Sequence, residues 1–215
     1  ATPEGVGLLR RAIGQIAVFR NVQRLRNRAV SAALRHALAI EEPVALSNSR
    51  GTIVAFGESK PLARAESGGW IAPSGKTVGI AITNRSGSKC NVAVLALKPD
   101  WAIVPVEPKG SGQTSLAAGK TLRISVALPV PSSDWRNEVT LKVFVTTTPV
   151  DFSSLHLNPL LEKPAKEPTR NAGSLGWLLD SVRRTGTRPV RPALAANADD
   201  KWYVYDLSLH LAPPR

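Results

Sequence analysis

The stretch Leu141-Lys-Val-Phe-Val-Thr-Thr-Thr-Pro-Val-Asp-Phe-Ser-Ser-Leu155 changes character half-way along. Its first half alternates like a strand, and Pro149, which carries no amide donor, stops that strand. Asp151 then reads as a helix cap for the amides around Ser153-Ser154, with Phe152 as a core anchor beside it. A strand over 139–147 that runs into a capped turn puts this region in a β domain.

Working outward, the same period of two recurs in 44–46, 52–56, 77–83, 91–97, 102–106, 121–128 and 202–211. Turn clusters separate these runs, among them Pro73-Ser-Gly-Lys76, Asn84-Arg-Ser-Gly-Ser88 and Pro129-Val-Pro-Ser-Ser-Asp134. Two launches are alike: Ser74-Gly-Lys-Thr-Val-Gly-Ile-Ala-Ile82 and Ala118-Gly-Lys-Thr-Leu-Arg-Ile-Ser-Val126. In both, glycine permits a left-handed turn and an alternating strand begins at once. Short strands at this spacing predict a mainly β fold, an Ig-like antiparallel β-sandwich. In the last strand Tyr203, Tyr205, Leu207, Leu209 and Leu211 form the apolar face.

Ahead of the strands, residues 4–27 predict an amphipathic helix. Thr2 is its cap, Pro3 occupies the first turn and Glu4 lies near the positive dipole end. Leu9, Ile13 and Ile16 make one apolar stripe, and Val18, Val22, Leu25 and Ala29 repeat the spacing on a displaced one. Arg20, Arg24 and Arg28 fall four apart and share a face. Residues 34–40 fit a strand or a continuation of the helix. The organisation read from these patterns is a basic helix in 1–30, a sandwich in 31–157, a linker with a short C-terminal helix (174–184) in 158–198, and a final strand closing the sandwich in 199–215.

The 215 residues carry a net charge of +12, and residues 1–40 hold seven arginines against Glu4, half of that excess. Such a cluster faces phosphates, an acidic protein surface or water. No aromatics interleave with the arginines, so a protein interface on Arg20, Arg24 and Arg28 is preferred, with a stand-alone nucleic-acid binder as the alternative. The chain has no run of apolar residues long enough for a membrane helix and no signal-peptide pattern, and a single cysteine excludes an internal disulfide. These features are read as cytoplasmic. The absence of methionine and the start at Ala1 are read as a fragment of a longer polypeptide.

Chemistry is harder to find. The Gly-Lys-Thr triplets at 75–77 and 119–121 lack the phosphate-loop frame, since Trp70 stands where its first glycine belongs and a strand follows each triplet. Cys90 enters a strand after a flexible turn and reads as a small filler, not as a nucleophile paired with His36, His156 or His210. The histidines give no metal spacing, and no cofactor is implied.

The order of Val18-Phe-Arg-Asn-Val-Gln-Arg-Leu-Arg-Asn27, the strands of 78–97, Ala118-Gly-Lys-Thr-Leu-Arg-Ile-Ser-Val-Ala-Leu-Pro129 and the closing 141–155 stretch resembles the region downstream of the peptidase domain in bacterial and fungal caspase-like cysteine peptidases. Phe19, Arg20 and Asn21 match that region's aromatic-Arg-Asn motif. Leu141, Lys142, Phe144, Thr146, Thr147, Pro149, Asp151 and Phe152 match its closing motif. The resemblance implies structural anchors at Phe19, Asn21, Phe144, Asp151 and Phe152, and a caspase-like peptidase domain as partner. The family's His-Gly motif and its nucleophile segment are absent, so the resemblance brings no catalytic residue and implies a non-catalytic accessory part.

Overall fold

The computed structural model describes residues 2–27, 31–46, 48–49, 52–53, 60–110, 112–130, 137–152, 155–160 and 202–212. In chain order these form α1 (Pro3–Arg24), α2 (Ala32–Arg35), β1 (Leu38–Ile40), β2 (Val44–Leu46), β3 (Asn48–Ser49), β4 (Thr52–Ile53), β5 (Lys60–Pro61), β6 (Ala63–Arg64) and β7 (Trp70–Pro73). There follow β8 (Thr77–Asn84), β9 (Cys90–Leu97), β10 (Ile103–Glu107), β11 (Thr114–Leu116), β12 (Thr121–Ala127), β13 (Glu138–Thr146) and β14 (Trp202–Ala212). The protein is mainly β. The short helix expected at 174–184 lies outside the described residues.

The smaller sheet is built on β8, which pairs with β12 along one edge and with β1 and β2 along the other, β5 extending β2. The larger sheet runs β10-β9-β13-β14-β7-β6, with β11 also on β9. Its pairs are antiparallel except β14 with β7, which run parallel, so the expectation of a wholly antiparallel sandwich is corrected at that pair. Strands brought together from distant parts of the chain are free of the hairpin turn that imposes antiparallel order. The two similar strand launches do begin at left-handed glycines, Gly75 (φ 68°) and Gly119 (φ 70°), and deliver β8 and β12 as direct neighbours.

The faces of the larger sheet are both covered. Val92, Val94 and Ala96 of β9, Leu141, Val143 and Val145 of β13 and Leu207, Leu209 and Leu211 of β14 join Val78, Ile80 and Ile82 of β8 in one apolar cluster between the sheets. On the opposite face Ala93, Leu95, Leu97, Phe144, Trp202 and Val204 pack with Val18, Phe19, Val22 and Leu25 of α1 and its extension, and with Phe152 and Leu155. Strands buried on both faces read as continuous apolar runs, which is what β9 shows in Val-Ala-Val-Leu-Ala-Leu.

Residues 34–40 divide between the two alternatives. Ser31 caps α2 by accepting from Leu34 N, and β1 starts after a turn. Tyr205 on β14 holds that junction, its hydroxyl donating to Arg35 O at 2.9 Å and accepting from Leu38 N at 3.2 Å.

Candidate docking interface on helix α1

Helix α1 starts as its sequence predicts: Thr2 accepts from Gly5 N, Pro3 occupies the first turn and Glu4 lies by the dipole end. Its end differs. The helix stops at Arg24 and Leu25 is extended (φ −60°, ψ 121°). The expected helix over 4–27 is therefore corrected to Pro3–Arg24, which carries Arg20 and Arg24; Arg28 lies outside the described residues. The cause is tertiary: Leu25 is buried in the core, and its carbonyl is claimed by the Lys142 ammonium at 3.3 Å. Asn27, expected to mark the helix end, is buried three residues beyond it and donates to Trp202 O at 2.8 Å.

Lys142 is the most unusual side chain on this face. It is fully buried, and its Nζ donates to Asp206 Oδ1 at 2.6 Å, the two residues facing each other across β13 and β14. Arg26 completes the group through the other oxygen of Asp206. Burial pushes the lysine pKa down to about 8; Asp206 opposes that shift and Arg26 adds to it. A buried cation tied to a carboxylate and to the carbonyl just past a helix end is a fastening between sheet and helix.

The sequence-marked anchors lie along the same face. Phe144 and Phe152 stack with ring centroids 4.7 Å apart, and Phe19, in the same cluster, meets Trp101 edge-on at 5.2 Å. Trp101 holds a left-handed backbone (φ 64°) in the β9–β10 turn, a conformation costly for a bulky residue and offset here by packing from Phe19 and Arg20. The Arg20 guanidinium sits over the Trp101 ring at 5.2 Å and donates to Gln23 Oε1 at 3.0 Å. Asn21 and Asp151 are half-buried; the serines that Asp151 is expected to cap lie outside the described residues. Arg24 is exposed.

The first half of α1 has no such engagement. Gln15 is its first firm tie to the sheet side, donating to Asn158 O at 2.6 Å. Before it, Val6, Leu8, Leu9 and Ile13 are 39, 44, 60 and 50 % exposed. At about 100° per residue, Val6, Leu9 and Ile13 fall on the side of the helix opposite Val18, Val22 and Leu25. The displaced stripe in the sequence is thus a second apolar face. Arg20 and Arg24 lie on that outward side too, with Arg10 at its edge.

Cys90 is buried, its thiol directed at Leu116 O (3.8 Å) and its pKa pushed up by burial, the reverse of an activated nucleophile. Among the described residues no group of three His, Cys, Asp or Glu side chains could hold a metal, and no helix is long and apolar enough to cross a membrane. Sequence reading found Arg20 and Arg24 but missed Arg26, Asp206 and the role of Lys142. The available signal was Lys142 itself, a charge inside an otherwise apolar strand. No family model matches the chain, and no curated protein matches it.

Proposed function

We propose that this chain is the non-catalytic accessory part of a caspase-like cysteine peptidase: an Ig-like β-sandwich with a helical cover that packs against the peptidase domain and positions substrate or restrains activation. The observation that carries the reading is the meeting of its two quoted motifs. Phe19, from the aromatic-Arg-Asn motif, and Phe144 and Phe152, from the closing motif, belong to a single buried cluster, as parts of one folded unit would. The inert surroundings of Cys90 support a non-catalytic role.

The test uses the chain alone and mixed with a caspase-like domain from the same reading frame. Alone, it should hydrolyse no peptide with a basic or acidic P1 residue. Mixed, it should bind the domain and change its rate of peptide hydrolysis. Hydrolysis by the chain alone that Cys90→Ala abolishes would overturn the reading, and so would failure to bind the domain. Tight, steeply salt-dependent binding to duplex DNA would favour the nucleic-acid alternative instead.

A further inference from the structure

Helix α1 carries two apolar stripes, and the sheet covers only one of them. Val18, Phe19, Val22 and Leu25 are buried against β9, β13 and β14, whereas Val6, Leu9 and Ile13 point away from that side and stay exposed. Their spacing, three and then four residues apart, is that of an amphipathic helix lying in a groove. Among the described residues, no packing of the sandwich requires these side chains to be apolar.

We infer that the outward stripe Val6-Leu9-Ile13 docks into an apolar groove rimmed by carboxylates on the peptidase domain, an assignment that rests on the function proposed above. Charge selects the occupant. Arg10 and Arg24 are exposed and flank the stripe on the same side of the helix. A second copy of this chain would bring arginines against arginines and add its own charge of +12 to an equal one. An acidic rim instead neutralises both arginines while the groove buries the three apolar side chains. The arginines divide by engagement: Arg20, which shares a helix face with Arg24, is held over Trp101, and Arg26 pairs with Asp206, while Arg10 and Arg24 are exposed.

The experiment measures binding of the purified peptidase domain to the whole chain and to two double variants, Leu9→Asp/Ile13→Asp and Arg10→Glu/Arg24→Glu. The first should weaken the complex on the order of a hundredfold, as loss of central contacts does. The second should slow association and reverse its salt dependence. Thermal melts of both variants should match the parent, because every altered side chain is exposed. Two further arms, sedimentation of the chain alone and binding to vesicles containing phosphatidylserine, address other occupants. Binding of the peptidase domain that both variants leave untouched overturns this face while the functional reading stands. No binding by the parent chain sinks that reading and the face with it. Self-association, or vesicle binding, lost in Leu9→Asp/Ile13→Asp assigns the stripe to a second copy or to a lipid surface and overturns the inference.

Discussion

The two faces of the larger sheet are built from the same strands and solved differently. Toward the smaller sheet, β13 sends Val139, Leu141, Val143 and Val145 into a cluster made of aliphatic side chains. Toward α1 it sends Thr140, Lys142, Phe144 and Thr146, and the layer there includes an ion pair, a buried asparagine and stacked aromatics. The sheet-on-sheet interface is mostly aliphatic area, with polar ties at its end, where Asn84 of β8 donates to Leu116 O of β11 and the Tyr205 hydroxyl of β14 accepts from Leu38 N of β1. A single helix laid over a broad sheet leaves its backbone ends and flanks to satisfy, and polar side chains with fixed partners give it one position. The difference teaches that β13 is a joint between two kinds of packing.

The comparison breaks if large side chains on the helix face are dispensable. Phe144 is fully buried between α1 and Phe152, so Phe144→Ala should cost about 3–5 kcal/mol of stability in urea unfolding. Val143→Ala, on the other face of the same strand, removes less volume and should cost about half as much or less. A loss from Phe144→Ala no larger than that from Val143→Ala would mean that the aromatic on the helix face contributes no more than one aliphatic side chain on the other.

Legibility followed the same division. The strands from 77 to 97, the 121–128 run and the final strand were readable because their alternation depends on local sequence and two faces. The cap at Thr2 was readable for the same reason, since its partner is Gly5, three residues away. The end of α1 was not. Helical spacing continues through Leu25 and Ala29, while the Leu25 carbonyl is taken by the distant Lys142 and by the neighbouring Arg26 guanidinium. The Lys142–Asp206 pair joins residues 64 apart in sequence, and periodicity has no means of naming such a partner. Arg20 was legible as a functional candidate by position, but its contact with Trp101 depends on the left-handed turn at 98–102.

A smaller effect sharpens the role of that ion pair. Asp206→Ala leaves the Lys142 ammonium buried without its carboxylate and should cost about 3 kcal/mol at neutral pH. Lys142→Met keeps the volume, leaves Asp206 to Arg26, and should be close to neutral there. The pH dependence has a definite sign. Lys142 is lowered from 10.5 to about 8 in the folded protein, so between those values the unfolded chain binds more protons. The contribution of this lysine to stability therefore rises with pH across that window, by up to roughly 3 kcal/mol, and is level below it. The parent should gain stability over Lys142→Met between about pH 8 and about pH 10.5. A constant difference would show that the lysine retains an ordinary pKa and that the helix face is wetter than its geometry.

The smallest expected effect separates the two described arginines of the original interface. Arg20 lies over the Trp101 ring and ties back to Gln23, so Arg20→Gln removes a cation–π contact worth about 0.5–1 kcal/mol and uncovers a strained turn. Arg24 is exposed in the last turn of α1, where its charge meets the negative helix end at a surface screened by water. Arg24→Gln should stay within about 0.5 kcal/mol of the parent. The same two variants should rank oppositely in binding to the peptidase domain, with Arg24→Gln the weaker binder, because Arg24 is exposed on the face the two share, whereas the Arg20 guanidinium is held against Trp101. If Arg20→Gln proves silent in the melt yet damaging to binding, the guanidinium over Trp101 faces the partner, and the boundary between the fastened side of α1 and its docking side has to move by one turn.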